Sequence, residues 1–218
     1  EDMSVDTIFD VASLTKVIAT TPCVLKLMED SHIKLEDKVS KFLPELTGDP
    51  NKFRITIRHL LTHMSGLLPG IRKGYDWSGK STGLALACGE PSAGHAGYQH
   101  RYSDLNFILL GEIVSRVAGK PLSAFAKETI FDPLRMKETF FHPAETYVPR
   151  IAPTTMMDDG SVLRGVVHDP TAGAMDGEAG HAGLFTTASD LARFARMILR
   201  GGELEGVRVL RQETVKLM

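Results

Sequence analysis

Apolar residues recur at helical spacing in several stretches of the chain. Leu14, Val17, Ile18, Val24, Leu25 and Met28 fall three or four apart in combination and predict a helix over 13–30, closed by the polar break Asp30-Ser31. Pro22 lies inside that pattern, where it has no amide proton and its ring crowds the preceding turn, so it should kink the helix or loosen one turn of it. A short pattern predicts a helix over 56–63. The strongest runs from Leu105 to Ala118, with Phe107, Ile108, Leu110, Ile113, Val114 and Val117 as its apolar positions and Gly119 as its stop. Pro121 then opens another helix from an early position, which suits a residue without an N–H. Thr187-Ala188-Ser189-Asp190 reads as a capping box with Asp replacing the usual Glu, starting a helix through Arg200 that stops at Gly201-Gly202. Gln212 to Met218 looks like the first turns of one more helix.

Strand patterns are scarce. Arg54 to Ile57 and Gly206 to Leu210 are the short candidates. Two long glycine-rich stretches, 64–101 and 154–186, lie between the helices, and loops of that length in a compact domain tend to carry function.

Composition narrows the partners. The chain has 218 residues, 43% hydrophobic and 24% charged, with 25 basic against 27 acidic side chains. That is the range of a folded globular chain, and surface scaling gives it roughly 10,000 Å² of exposed surface once folded. A net charge of −2 without a run of like charges lacks the footprint of a nucleic-acid binder. No apolar run approaches the ~18 residues of a transmembrane segment. Two cysteines, Cys23 and Cys88, make no disulfide framework. No repeat is present, and the chain reads as one domain, 1–218.

Four motifs carry chemistry. In Ser13-Leu14-Thr15-Lys16 the serine and lysine share a helix face with Cβ atoms about 5–6 Å apart, close enough for a half-buried lysine to take the serine proton. Taken alone, the spacing is weak evidence, and a capping serine beside a surface lysine is its commoner explanation. Tyr102-Ser103-Asp104 precedes the apolar helix, so Tyr102 is either a usable base or a core aromatic beside a cap. His59 and His63 stand at i, i+4, but Leu60 occupies the position where a zinc protease needs glutamate, and a metal reading is disfavoured. His181, flanked by Gly180 and Gly183, is either a cleft wall, an acid/base group or part of a tight turn. No cofactor is called for.

In this order, the motifs resemble those of the serine β-lactamase-related hydrolases: class C β-lactamases, penicillin-binding proteins and esterase relatives. Phe9 to Lys16 resembles the family's nucleophile segment, and His59-Leu60-Leu61-Thr62-His63-Met64-Ser65-Gly66-Leu67 its "HLLTHTSGL" run nearly letter for letter. Tyr102 to Phe107 resembles its Tyr-x-Asn segment, and Gly180 to Phe194 a later glycine turn and helix. The resemblance implies an α+β, β-lactamase/transpeptidase-like fold, of which this chain covers mainly the helical part with few strands. It implies Ser13 as acylated nucleophile, Lys16 as its proton partner and Tyr102 as second base and leaving-group acid, with Asp104 and His181 touching substrate. The substrate would be a small molecule or peptidoglycan-like, met in the periplasm or outside the cell. Asp104 stands where class C enzymes have asparagine, which weakens the case for efficient β-lactam hydrolysis. The family's Lys-Thr-Gly or His-Thr-Gly motif is not recognisable, so the domain reads as truncated at both ends. A different class of function also fits, a non-catalytic β-lactamase-like module that binds peptidoglycan or a partner.

Overall fold

The helix expected over 13–30 forms, though not as one regular helix. In the computed structural model, which describes residues 3–72, 74 and 76–218, strand β1 (Ile8–Asp10) leads into a 3₁₀ turn (Ala12–Leu14), a wide π turn (Lys16–Thr20) and helix α1 (Thr21–Glu29). Pro22 sits in the first turn of α1, directly after the π turn, and the Thr21 N–H reaches past the regular position to the Lys16 carbonyl. A proline has no N–H to continue the regular ladder, so one loosened turn just before it is the relaxed solution.

Helix α2 (Ile57–Leu61) starts at Thr56, whose hydroxyl accepts the His59 N–H while His59 Nδ1 accepts the Thr56 N–H. Helix α3 (Lys80–Gly89) lies inside the stretch read as a loop. Its glycines hid it, and Gly83 is there for packing, since a Cβ would meet Met175 Cγ at 2.5 Å and Trp77 at 2.9 Å. Helix α4 (Asp104–Ala118) ends as expected at Gly119 with φ +66°, and α5 (Leu122–Ala126) runs on into a π turn, with Pro121 at its N-cap. The second glycine-rich stretch holds a hairpin of β2 (Thr155–Met156) and β3 (Val162–Leu163), then α6 (Pro170–Ala174) and β4 (Phe185–Thr187). Helix α7 (Ala188–Leu199), the hairpin β5 (Glu203–Leu204) with β6 (Val207–Arg208), and α8 (Gln212–Val215) complete the order.

Two sequence expectations need correction. Arg54–Ile57 is not a strand; a 3₁₀ turn (Lys52–Arg54) and a single bridge from Lys38 to Thr56 precede α2, because Lys52 turns inward to place Nζ on the Cys88 carbonyl at 2.5 Å. The capping box at α7 is half formed. The Thr187 hydroxyl accepts the Asp190 N–H, but the Asp190 carboxylate turns away to accept the Glu138 N–H and the Thr139 hydroxyl. Burial pushes the Asp190 carboxyl above its ordinary range.

Two features position the site. β1 pairs antiparallel with β4 in the register Ile8↔Thr187, Phe9↔Thr186 and Asp10↔Phe185, so the segment entering the first helical turn is tied to the segment before α7. Helix α4 is the central beam, touching α1, α2, α3 and α5, and Leu105, Ile108, Leu109, Leu110, Ile113 and Val114 on it are buried. Each such side chain contributes about 1.5–3 kcal/mol of burial. The chain exposes 10610 Å², near the surface expected from its mass. Cys23 and Cys88 are both buried and free.

Candidate active site

Ser13 is delivered by a strained turn. Ala12, just before it, holds φ 45°, a left-handed conformation that costs a residue with a Cβ about 1–3 kcal/mol. Asp10 supports that turn: its Oδ1 accepts the Ala12 N–H at 2.8 Å and its Oδ2 the His168 N–H at 2.8 Å. Thr15 and Thr20, both wholly buried, stitch the helix to the 180–184 segment. The Thr15 hydroxyl accepts the Leu184 N–H at 3.2 Å, and the Thr20 hydroxyl donates to the Gly180 carbonyl at 2.7 Å. Ser13 itself remains exposed.

Lys16 lies one turn further on, 3% exposed and deeper than the half-burial expected. The apolar positions read as its cover, Leu14 and Val17, are 44% and 45% exposed and face the opening instead. Lys16 Nζ donates to Ser13 Oγ at 2.9 Å and to the His181 carbonyl at 3.0 Å, and forms an ion pair with Asp104, whose Oδ1 lies 2.7 Å away. Tyr102 Oη donates to Ser13 Oγ at 2.8 Å, and Lys16 Nζ stands 4.9 Å from the Tyr102 ring centre. Two of the motifs read in the sequence thus converge on one oxygen atom, and the His181 segment reaches it through Lys16. They open on a cleft of about 540 Å³ lined by Leu14, Val17, Leu61, His63 and Phe107 beside Ser13 and Tyr102.

His63, at φ 56°, forms one wall. Its Nδ1 accepts the Ser103 N–H at 3.1 Å and faces Asn106 Nδ2 at 3.1 Å, while its ring stacks on Tyr102 at 4.5 Å. Burial, and then the positive charge of Lys16, hold His63 below its ordinary pKa. His59 is spent on its own helix cap, so the two histidines do not converge on a shared ligand. Ser65, in the turn that follows, donates to Asn106 Oδ1 at 2.5 Å.

His181 requires a correction. Its ring is 1% exposed and turned inward, with Nε2 2.8 Å from Asp169 Oδ1, so it offers no surface to a substrate. Its carbonyl is what reaches the site. Asp169 caps α6, with Oδ1 also accepting the Ala172 N–H at 2.7 Å. Burial opposes the charge of Asp169, yet the bond from His181, the Ala172 N–H and the charge of Lys16 together hold its carboxyl below the ordinary range. Sequence reading missed Asp169, whose one local signal is the Asp-Pro pair that opens a helix. Asp104 stands beside Lys16, about one-third exposed, where a bound molecule can reach it. Among the described residues no helix is long and apolar enough to cross a membrane.

The Beta-lactamase family profile matches residues 1–218. The chain is 31% identical over 242 residues to the N-acetylmuramyl-L-alanine amidase of Bacillus subtilis, covering 99% of this chain and 55% of that protein. Its fold superposes with a TM-score of 0.73 on the beta-lactamase/D-alanine carboxypeptidase of Yersinia pestis, at 25% identity, over 90% of this chain and 55% of that one. The D-amino acid amidase of Ochrobactrum anthropi gives 0.75 at 24% identity, over 98% of this chain and 60% of that one. The chain spans about half the length of the curated relatives it matches.

Proposed function

The chain belongs to the beta-lactamase family, and from that premise we propose that it carries the nucleophile of a serine hydrolase acting through an acyl-enzyme on an amide, ester or β-lactam carbonyl. One observation carries the reading: Ser13 Oγ is held at once by Lys16 Nζ at 2.9 Å and Tyr102 Oη at 2.8 Å, at an open cleft. Ser13 Oγ forms the bond to the carbonyl carbon, and the bond to the leaving group breaks. Lys16, in its unprotonated form, takes the Ser13 proton as that bond forms; Tyr102 Oη gives its proton to the leaving group and is reprotonated from Lys16, and water releases the acyl group by the same proton path. Once it carries that proton, Lys16 also offsets the negative charge that develops in the transition state. The Ser13 N–H, in the first helical turn, is one donor for the carbonyl oxygen in the transition state.

Asp104, an acceptor when ionised, suits a substrate that presents an N–H on that side. The names of the Bacillus and Yersinia relatives point to peptidoglycan-like amide bonds, met in the periplasm or outside the cell. The test is covalent labelling with a fluorescent penicillin, and turnover of p-nitrophenyl acetate, in the wild type and in Ser13→Ala. An adduct on the Ser13 peptide, lost in the variant together with ester turnover, is the expected result. Wild-type labelling or turnover in Ser13→Ala overturns the assignment, and saturable binding without adduct or turnover supports the binding module instead.

A further inference from the structure

Asp169 and His181 take no part in the chemistry set out above, yet the bond between them leads through the His181 carbonyl to Lys16. Asp104, Asp169 and His181 present ligand atoms within 4.8 Å of one another, the grouping a cation site would have. The cation beside them is the chain's own Lys16 ammonium, 2.7 Å from Asp104 Oδ1 and 3.0 Å from the His181 carbonyl. An ionised carboxylate accepts hydrogen bonds and cannot donate, so the 2.8 Å contact from Asp169 Oδ1 puts the His181 proton on Nε2. His181 Nδ1 is buried with no hydrogen-bond partner among the described residues, so Asp169 alone locks the ring orientation. The locked ring belongs to the residue whose carbonyl holds Lys16.

We infer that Asp169 is a positioning residue for Lys16: it fixes the His181 carbonyl through the buried ring and sets a second negative charge behind the ammonium. The inference rests on the reading of Ser13 and Lys16 as the reacting pair. The groups facing Lys16 come from three parts of the fold. Tyr102 and Asp104 stand at the start of α4, His63 follows α2, and Asp169 and His181 precede β4. Asp104 and Asp169 bring the negative charge; Tyr102 and His63 face it from the cleft.

Asp169→Asn tests this, because asparagine keeps an acceptor for the Ala172 N–H while removing the charge and the demand for a proton on His181 Nε2. A shift of the Lys16 head by about 1 Å can cost on the order of 10²-fold, so kcat for p-nitrophenyl acetate is expected to fall 10- to 100-fold with KM little changed. One negative charge fewer faces the proton acceptor, so the rising limb of the kcat–pH profile moves to lower pH. Asp169→Glu, which keeps the charge, leaves that limb in place. Wild-type kcat and limb position in a folded Asp169→Asn overturn the inference. The wild type supplies an arm that no folding defect can spoil: ¹⁵N NMR of the histidines should show His181 protonated at Nε2, and protonation at Nδ1 overturns the inference equally. Turnover persisting in Ser13→Ala would instead remove the parent reading, so the two failures are distinguishable.

Discussion

Gly180→Ala puts the coupling between packing and chemistry to its hardest test. Gly180 meets α4 at Gly111, backbone against backbone, and an alanine Cβ there would lie 2.0 Å from the Phe107 carbonyl oxygen and 2.8–2.9 Å from Gly111 N and Cα. All three atoms are main chain of the central helix, so no flexible side chain can yield. Overpacking of this kind costs typically about 1–3 kcal/mol, and the site belongs at the upper end because the helix backbone must move. The displacement carries straight into the site, since the Gly180 carbonyl accepts the Thr20 hydroxyl and the next carbonyl along holds Lys16. A shift of about 1 Å there is expected to cost on the order of 10²-fold in kcat. Urea unfolding and p-nitrophenyl acetate turnover are the assays. Gly89→Ala is the control: nothing lies within 4 Å of its Cβ position at the end of α3, so it should be neutral or stabilise by up to about 1 kcal/mol. A Gly180→Ala protein within about 0.5 kcal/mol of wild type and with wild-type kcat would refute the reasoning, because that is the scatter of ordinary surface changes.

Two further outcomes follow from the site. Tyr102→Phe keeps the ring against His63 and removes the oxygen 2.8 Å from Ser13 Oγ, so kcat should drop by about 10² or more with little change in Tm; an unchanged rate at every pH would make Tyr102 a packing aromatic only. His63 is held below its ordinary value of 6.5, so just below that pH the unfolded chain binds a proton that the folded chain refuses, and stability falls as pH drops from 7 toward 5. His63→Asn, which tolerates the left-handed backbone, should show a shallower fall of Tm over that range, and an identical slope would contradict the cause given.

The helices were legible where a pattern had room to repeat. Helix α4 shows its periodicity over fifteen residues and closes on a glycine, so both its course and its end could be read. The β1–β4 pair could not be, because each strand is three residues long and its partner lies at the other end of the chain. Three residues cannot display alternation. Helix α3 failed for another reason: Gly83 is a breaker by propensity, and the Met175 and Trp77 contacts that demand it are tertiary. Within the site, the Ser13–Lys16 pair was visible because helical spacing alone brings it together. Asp169 was invisible because its partner His181 is set by the loop between α6 and β4, which no local rule describes.

The depth of Lys16 follows from the same division. Local periodicity assigned Leu14, Val17 and Ile18 to one buried stripe, but the 3₁₀ and π turns change the rotation per residue and leave Leu14 and Val17 facing the cleft while Ile18 and Lys16 turn inward. A lysine so placed costs several kcal/mol of desolvation unless its three N–H groups find acceptors. One acceptor is local, Ser13 Oγ; the other partners, the His181 carbonyl and the opposite charge of Asp104, arrive from the segment before β4 and from the start of α4. The irregular helix start is therefore tolerable only after α4 and the 180–184 segment have docked. Until then Lys16 is better left in water, and the turn that presents Ser13 has nothing to hold it in its strained form. The turn that presents Ser13 and the tertiary fold around it are therefore assembled together.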